Sequence, residues 1–280
     1  MNSSMINAMV SMNGLQRKLD VLADNIANQE TVGYKRKEAS FADLLHSSYE
    51  QPESFSQPGR MTPLGFRQGW GSRLASVRTD FEQGVLKETG VKTDMAIDGN
   101  AWFQVETGGE EQYGYTRNGS FQLTPMPNGD TILATEQGYP VVSRVYDPVA
   151  RTEVDGRIVV PNGFSVKVSS DGTVTAENEA GETMELGRIK LMQATSPAAL
   201  TATADNLFIA ARGEDGNELV REVNPDAEGI AVKQGFLEQS NVDLSSEITE
   251  LINVQRAYQL AARALTSSDT MMNLANNMRA

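Results

Sequence analysis

The chain has 280 residues, 39% of them hydrophobic, and a net charge of −13 with a pI near 4.6. This length and apolar fraction suffice for at least one sizeable buried core, whereas the acidic balance argues against a nucleic-acid-binding protein, which needs a basic surface. The chain contains no cysteine, so disulfides, cysteine-ligated zinc and a thiol nucleophile are excluded.

The first 28 residues are predicted to form one helix. Apolar side chains recur every seven residues in two series, a pattern typical of a helix that packs along a partner helix. The series are Met5, Met12, Leu19 and Ile26, and Ala8, Leu15 and Leu22. Gly14 is unfavourable inside the helix, and Thr31, Val32 and Gly33 predict its end near Asn28. The segment lacks the basic start and unbroken apolar run of a cleaved signal peptide.

Residues 31–92 are predicted to be an extended or conditionally folded arm, together with residues 222–239. Residues 38–92 are polar, contain scattered Gly, Pro and Ser, and show no sustained periodicity. The basic run Lys35, Arg36 and Lys37 is interpreted as a solvated loop. His46 is the only histidine and has no catalytic or metal motif around it, so it is interpreted as an exposed residue at a helix end.

Residues 93–221 are predicted to form an all-β domain, because strand-sized apolar runs alternate there with turn signals. Asn118 and Gly119 stand between two such runs and predict a β-hairpin with a type I′ turn, in which both central residues have positive φ. Further turns are predicted at 128–130, 171–172 and 215–216.

The last 40 residues are predicted to form a second long helix, since no Gly or Pro follows Gly235. Asp243 is the expected N-cap, and Glu247 lies in the first turn, where the helix dipole favours an anion. One series of side chains spaced by seven is Leu244, Leu251, Tyr258, Leu265 and Met272; the complementary positions, mostly small, are Val254, Ala261, Ser268 and Ala275.

Charge divides the chain in the same way. Residues 1–37 and 235–280 together carry as many basic as acidic side chains, so the whole charge of −13 belongs to the middle. Burying the seven positions of the first helix yields on the order of 10–15 kcal/mol, and ordering its backbone costs roughly 1–2 kcal/mol per residue. The terminal helices are therefore expected to be marginal alone and to become ordered on assembly.

Three blocks along the chain carry a resemblance to a known family. The first is 24–28 with Thr31 and 33–36; the second is 94–99, Trp102 and Phe103, and 115–121; the third is 234–243 with Glu247, 251–252 and 255–258. These blocks resemble the signatures of the axial proteins of the bacterial flagellum. Length favours a basal-body rod protein over the longer hook proteins, with the distal rod type first. Residues 1–6 and 259–263 depart from the distal-rod pattern and look like rod paralogues of Gram-positive bacteria.

The resemblance implies an α + β subunit of the rod built in layers. Residues 1–30 and 240–280 would pair as a coiled-coil-like inner layer, residues 31–92 and 222–239 would form the arm, and residues 93–221 the outer domain. Such subunits polymerise helically, contact neighbouring rod and hook subunits, and transmit torque from motor to hook. They pass through the flagellar export apparatus without a cleaved signal and function outside the cytoplasmic membrane.

The predicted assembly interface and family motif are specific sets of residues. The interface comprises Met5, Ala8, Met12, Leu15, Leu19, Leu22, Asn25, Ile26, Asn28, Leu244, Ile248, Leu251, Val254, Tyr258, Ala261, Leu265 and Met272. The hairpin motif comprises Tyr115, Arg117, Asn118, Gly119 and Phe121.

Two other classes of function are alternatives to the rod subunit. In the first, the chain is a secreted or surface β-rich binding module whose helices close its own core. In the second, it is an enzyme, for which Glu110, Glu111, Asp147 and Asp155 offer carboxylates without a motif around any pair. The acidic turn at 214–217 lacks the ligand spacing of a calcium loop. We therefore expect no catalytic residue, metal, cofactor, small-molecule substrate or nucleic acid.

Overall fold

The computed structural model has an α + β fold with a helix near each end of the chain and a mostly β body, as predicted. It describes residues 2–43, 46–49, 66–69, 72–108, 113–126, 129–147, 152–178, 181–196, 200–210, 220–223 and 229–278. The chain divides into two compact units. Unit 1 comprises 1–27, 37–80 and 243–280, and unit 2 comprises 28–36 and 81–242.

The two long helices belong to unit 1. Helix α1 spans Asn2–Ala27 and helix α2 spans Leu244–Asn277, and they pack against each other. Asp243 caps α2 as predicted, since its carboxylate accepts hydrogen bonds from the backbone N–H groups of Ser245 and Ser246. No helix in the described part of the chain is both long and apolar enough to cross a membrane.

Unit 1 also contains two antiparallel strand pairs that were not predicted. Strand β1 (Lys37–Asp43) pairs with β4 (Ser72–Thr79), and β2 (His46–Tyr49) pairs with β3 (Phe66–Gly69). The side chains of β4 are half-buried or exposed with no buried face, so the sequence shows no alternation. His46 begins strand β2, so its assignment to a helix end was wrong.

Unit 2 is a set of antiparallel sheets. The largest has the order β18-β19-β8-β7-β17-β20, and the next has the order β12-β11-β16-β15-β14. Strands of the first are β7 (Trp102–Glu106), β8 (Tyr113–Thr116), β17 (Leu191–Ala194), β18 (Leu200–Ala202), β19 (Leu207–Ala210) and β20 (Val220–Glu222). Strands of the second are β11 (Val142–Asp147), β12 (Thr152–Arg157), β14 (Ser165–Val168), β15 (Thr173–Glu177) and β16 (Thr183–Ile189).

Three smaller pairings complete unit 2. A three-stranded sheet has the order β13-β10-β9, β21 pairs with β6, and β22 pairs with β5. Their bounds are β5 (Leu86–Glu88), β6 (Met95–Asp98), β9 (Phe121–Pro125), β10 (Thr131–Thr135), β13 (Val159–Val160), β21 (Ala231–Gln234) and β22 (Phe236–Glu238). The last two strands therefore pair with two that precede them by more than 130 residues. These two strand pairs therefore form only when both ends of the unit 2 sequence are present.

In the described part of unit 2, a smaller apolar cluster surrounds Trp102, and a larger one is the main core. Fully buried side chains from several sheets meet in it, among them Met95, Phe103, Phe121, Ile158 and Leu191. The rings of Phe103 and Phe121 pack edge to face with their centroids 5.1 Å apart. The strand-sized apolar runs read from the sequence are the strands that supply this core.

The predicted hairpin at Asn118 and Gly119 is wrong. Strand β8 pairs with β7 and β19, whereas β9 pairs with β10, so the strands on either side of these residues are not partners. Neither residue has a positive φ. Gly119 is required for a different reason: its carbonyl accepts the N–H of Met95 at 3.0 Å, and an added Cβ would overlap the carbonyl oxygen of Met95.

Two of the other predicted turns are confirmed. Gly129 lies between β9 and β10 with φ 91°, and Gly172 lies between β14 and β15 with φ 83°. Both dihedrals suit glycine, which has no Cβ to oppose them. The predicted turn at 215–216 lies outside the described residues.

Candidate assembly site and the polar clusters behind it

The predicted interface residues lie mainly along α1 and α2 in unit 1. Leu22 and Val254 are buried, and Ile248 is exposed. The remaining apolar members are half-buried, namely Met5, Ala8, Met12, Leu15, Leu19, Ile26, Leu244, Leu251, Tyr258, Ala261, Leu265 and Met272. Asn28 belongs to unit 2, where its side chain accepts a hydrogen bond from the Thr31 hydroxyl. Both seven-residue series therefore face the interior of unit 1 at least in part.

Asn25 joins the two helices through a buried polar contact. Its amide nitrogen donates to the carbonyl oxygen of Lys37 at 2.9 Å and to the carboxylate of Glu247 at 3.1 Å. Its amide oxygen accepts the backbone N–H of Lys37 at 2.9 Å. Asn25 and Glu247 are both fully buried. Because a buried polar pair is satisfied in one alignment only, this contact fixes how α1 and α2 lie against each other.

A second contact shows the relative direction of the two helices. Lys18 forms a salt bridge with Glu250. Lys18 precedes Asn25 by seven residues in α1, whereas Glu250 follows Glu247 by three residues in α2. The partners therefore run in opposite directions along the chain, and the two helices are antiparallel.

Gly14 explains how strand β1 approaches α1. A Cβ at this position would lie 3.2 Å from the ring of Phe41, closer than side chains normally pack. The glycine that looked unfavourable in the heptad pattern therefore makes room for the strand pair. The aromatic ring lies beside the helix backbone, and the ammonium group of Lys18 is 5.8 Å from the centre of that ring.

Helix α2 carries a second apolar face that the sequence analysis missed. Its members are all exposed and comprise Ile248, Ile252, Leu260, Met271, Leu274 and Met278, of which only Ile248 was in the predicted interface. Around the helix axis, all six are turned by at least about 100° from the buried Val254. A search for two apolar stripes would have found them, since Leu260 and Met271 are three helical turns apart.

Unit 2 contains a buried charge cluster of Lys35, Arg117 and Glu238, each at most 3% exposed. One carboxylate oxygen of Glu238 accepts the Lys35 ammonium at 2.6 Å, and the other accepts the Arg117 guanidinium at 3.0 Å. The interpretation of Lys35, Arg36 and Lys37 as a solvated loop is therefore wrong for Lys35. The sequence offered one signal for this cluster: the first and second blocks each contain a basic residue, and the third contains the acidic Glu238.

Backbone groups satisfy part of the remaining hydrogen-bonding capacity of this cluster, whereas the buried Nε of Arg117 has no partner among the described residues. Lys35 also donates to the carbonyl of Glu82 at 2.7 Å, and Arg117 donates to the carbonyl of Gly99 at 2.7 Å. Burial lowers the pKa of Arg117, and the charge of Glu238 opposes that shift. Arg117 stays protonated, as arginine does throughout the physiological range. The three sequence blocks thus meet at one carboxylate.

The rest of the predicted motif serves the same region. The Asn118 side chain accepts the N–H of Ser120 at 3.0 Å, and Phe121 is in the core. Tyr115 lies on β8 beside the buried Trp102, whose ring is 5.4 Å from the Arg117 guanidinium. The motif residues therefore stabilise the fold of unit 2.

Of the carboxylates considered for an enzyme, only Asp155 has a described side chain. Asp155 forms salt bridges with Arg144 and Lys190. Glu110, Glu111 and 214–217 lie outside the described residues, as does the side chain of Asp147. Among the residues that the structure describes, no group of three or more His, Asp or Glu side chains could hold a metal ion.

Comparisons with known proteins agree with the order of the blocks. Residues 5–35 match the model described as flagella basal body rod protein, residues 96–176 match the flagellar hook protein FlgE/F/G D1 domain, and residues 233–278 match the flagellar basal body rod FlgEFG protein C-terminal.

Full-length relatives match as well. The chain is 34% identical to the flagellar basal-body rod protein FlgG of Agrobacterium fabrum, over 95% of each chain. It is 32% identical to FlgG of Borreliella burgdorferi, over 96% of this chain and 95% of that protein. It is also 32% identical to the flagellar hook-basal body complex protein FlhP of Bacillus subtilis, over 99% of both.

Proposed function

Because the chain belongs to the flagellar basal-body rod protein family, and is a structural subunit of that rod, we propose that it polymerises helically through its terminal helices and transmits torque from the motor to the hook. The proposal divides the chain into an inner layer of α1 and α2 paired like a coiled coil, an arm, and an outer β domain. No catalytic step is part of it.

The observation that carries the proposal is how little unit 1 buries by itself. Of its described hydrophobic side chains, only Leu22 and Val254 are buried. Among the described residues of unit 1, ten large hydrophobic side chains are exposed: Ile6, Met9, Phe41, Val77, Ile248, Ile252, Leu260, Met271, Leu274 and Met278. Large apolar side chains that lie exposed on both helices of one unit are typical of an interaction site.

Energetics favour ordering on assembly. Ordering the 26 residues of α1 costs roughly 1–2 kcal/mol each before hydrogen bonding offsets part of it. Each large side chain that assembly buries returns about 1.5–3 kcal/mol. Burial of the exposed apolar side chains of unit 1 against other copies would therefore favour assembly, and a single copy cannot achieve that burial.

The resemblance supplies the partners and the location that we propose. They are further copies of this chain, neighbouring rod and hook subunits, and the flagellar export apparatus during passage out of the cell. The subunit functions outside the cytoplasmic membrane and is exported without a cleaved signal peptide. We propose a distal rod protein or a related paralogue, because relatives named FlgG and FlhP are about equally similar.

The test places a charge in the seam between the helices. Leu19→Asp and Leu265→Asp each put a carboxylate among half-buried apolar side chains, which is costly. We expect each to abolish polymerisation of the purified chain, seen by sedimentation and electron microscopy, and to abolish motility in cells. Tyr146→Asp is the matched control, because Tyr146 is exposed on unit 2.

Three outcomes decide the matter. Loss of polymer with the fluorescence of Trp102 unchanged supports the proposal. Normal motility in either variant contradicts the proposed seam. A wild-type chain that stays monomeric at high concentration, and whose behaviour is unchanged by deleting 1–28 and 243–280, favours instead a β-rich binding module whose helices close its own core.

A further inference from the structure

Unit 1 contains a groove between α1, the β1–β4 pair and the first half of α2. Its volume is about 840 Å³. The apolar part of its lining comes from Leu15, Phe41, Val254 and Ala257. The groove is thus large enough for several aliphatic side chains, and no large side chain of α2 fills it.

The lining contributed by α2 is made of small side chains. Ser245, Ser246, Thr249 and Ala257 all line the groove. Large apolar side chains follow on the same face of the same helix, since Leu260, Met271 and Leu274 come 11, 22 and 25 residues after Thr249. These spacings are close to whole numbers of helical turns. One face of α2 is therefore concave in its first half and convex in its second.

The convex half also extends past the partner helix. Helix α1 has 26 residues and α2 has 34, lengths of about 39 and 51 Å. Since Asn25 lies opposite Glu247 in an antiparallel pair, α1 begins opposite about residue 270. Leu274 and Met278 lie beyond that point, 63% and 86% exposed.

The charges of both halves allow copies to meet. Lys18 and Glu250, at the rim of the groove, neutralise each other. The terminal segments together have no net charge, although the chain carries −13. An acidic partner or a basic one would find no complementary surface here, whereas a neutral helix end of the same chain does.

We propose that the C-terminal end of α2 in one copy of this chain, carrying Leu260, Met271, Leu274 and Met278, occupies the groove of the next copy. This inference rests on the proposed function and specifies the contact that builds the polymer. Because the end and the groove are different surfaces of one unit, the contact is heterologous. Such contacts do not close into a symmetric dimer, and they generate a helical filament when their rotation does not close a ring.

The size of the contact predicts cooperative assembly. Residues 260–278 form a strip about 28 Å long and about 10 Å wide. That is well below the roughly 800 Å² per partner of a stable pair. Isolated pairs should therefore be short-lived, and the contact should persist only where further contacts of the filament support it.

The chain offers a direct test because it has no cysteine of its own. The full-length variant Thr249→Cys/Leu274→Cys places one thiol in the groove and one on the helix end. The two positions are about 38 Å apart along α2, so no disulfide can form within one copy. Under mild oxidation we expect a ladder of covalent oligomers on a non-reducing gel.

The single variants serve as matched controls. An equimolar mixture of Thr249→Cys and Leu274→Cys should give heterodimers and stop there, at least tenfold more than either variant gives alone. Thr249→Cys/Tyr146→Cys should give no ladder, since Tyr146 lies on unit 2. Strong homodimers of Leu274→Cys alone would show a symmetric contact and overturn the inference.

A charge variant separates this inference from the proposed function. Leu274→Asp should raise the concentration needed for polymerisation at least tenfold with helicity unchanged, because this side chain is exposed within its own copy. If Leu274→Asp polymerises as the wild type does, the inference is overturned and the proposed function stands. If the wild-type chain forms no polymer, both fail.

Discussion

The two units of this chain bury their side chains in opposite ways. Unit 2 encloses aromatic and aliphatic side chains completely, including Trp102, Phe103 and Phe121. In the described part of unit 1, Leu22 and Val254 are buried but ten large hydrophobic side chains are exposed. Since burial of apolar area is the main favourable contribution to folding, unit 2 holds enough of it to be stable, and unit 1 depends on neighbours.

Polar contacts differ in the same sense. Unit 2 joins segments that are distant in sequence through three buried charged residues, Lys35, Arg117 and Glu238. Unit 1 joins its helices through Asn25 and Glu247 and through a salt bridge at the surface. Both devices set alignment, but only the first is surrounded by an apolar core that makes its loss severe. Substitutions in each unit should therefore have different magnitudes and different readouts.

The largest effect should follow Glu238→Gln. It leaves Lys35 and Arg117 buried without a carboxylate, so unit 2 should lose about 3–5 kcal/mol of unfolding free energy. Urea unfolding followed by the fluorescence of Trp102, in a Trp70→Phe background, measures this. The control is Glu106→Gln, which breaks a surface pair with Arg157 and should cost less than about 1 kcal/mol. Equal losses in the two variants would refute the distinction.

Gly119→Ala should come next. The added methyl group would overlap the carbonyl of Met95, so the backbone must shift and unit 2 should lose about 3 kcal/mol. Gly90→Ala is the matched control, with φ 72° and no atom within 4 Å of the added group. It should cost only about 1–2 kcal/mol for the left-handed backbone. The same fluorescence measurement applies, and a smaller loss at Gly119 than at Gly90 would contradict the packing argument.

Asn25→Leu should act on unit 1 alone. It leaves half-buried backbone groups of Lys37 without their side-chain partner, at a cost of about 1–3 kcal/mol. The helical circular dichroism signal should melt at a lower temperature while the unfolding of unit 2 is unchanged. Asn13→Leu, at an exposed position of α1, should leave both transitions in place. A shift in the fluorescence transition of Trp102 would show that the units are not independent in stability.

The smallest effect concerns pH and Asp243. Hydrogen bonds from the Ser246 hydroxyl and from the Ser245 backbone lower the pKa of Asp243. A carboxyl whose pKa is lower in the folded state stabilises above its ordinary pKa, and that stabilisation disappears as pH falls through the folded value. Helicity at the start of α2 should therefore decrease at acidic pH. Asp243→Asn keeps a cap without a titrating group and should reduce this dependence; an identical acid titration would exclude the capping carboxylate as its cause.

Much of the fold followed from local pattern. The heptad series predicted two long helices, Asp243 predicted the start of α2, and apolar runs predicted the strands around Trp102 and Val166. These features depend on periodicity and capping within a few residues. Strands β1 and β4 were missed because their described side chains form no fully buried face that would produce alternation.

The site was only partly accessible to the same reasoning. Leu22 and Val254 of the predicted interface are buried within unit 1, whereas Lys35 was assigned to solvent and is buried as well. A lysine in a basic run is usually solvated, and only the arrival of Glu238 from a segment 203 residues away makes its burial favourable. The second apolar face of α2 was missed because the search followed one stripe.

The sequence by itself determined the helices, most of the strands and, through its three blocks, the family of structural rod proteins. Those properties depend on residue type and short-range spacing. Tertiary structure alone decided that Asn118 and Gly119 connect two different sheets and that the three blocks converge on Glu238. Glu238 contacts Arg117 and Lys35 across 121 and 203 residues, and Gly119 contacts Met95 of an earlier strand. The charge or the glycine is required in each case only because a partner from another segment packs against it.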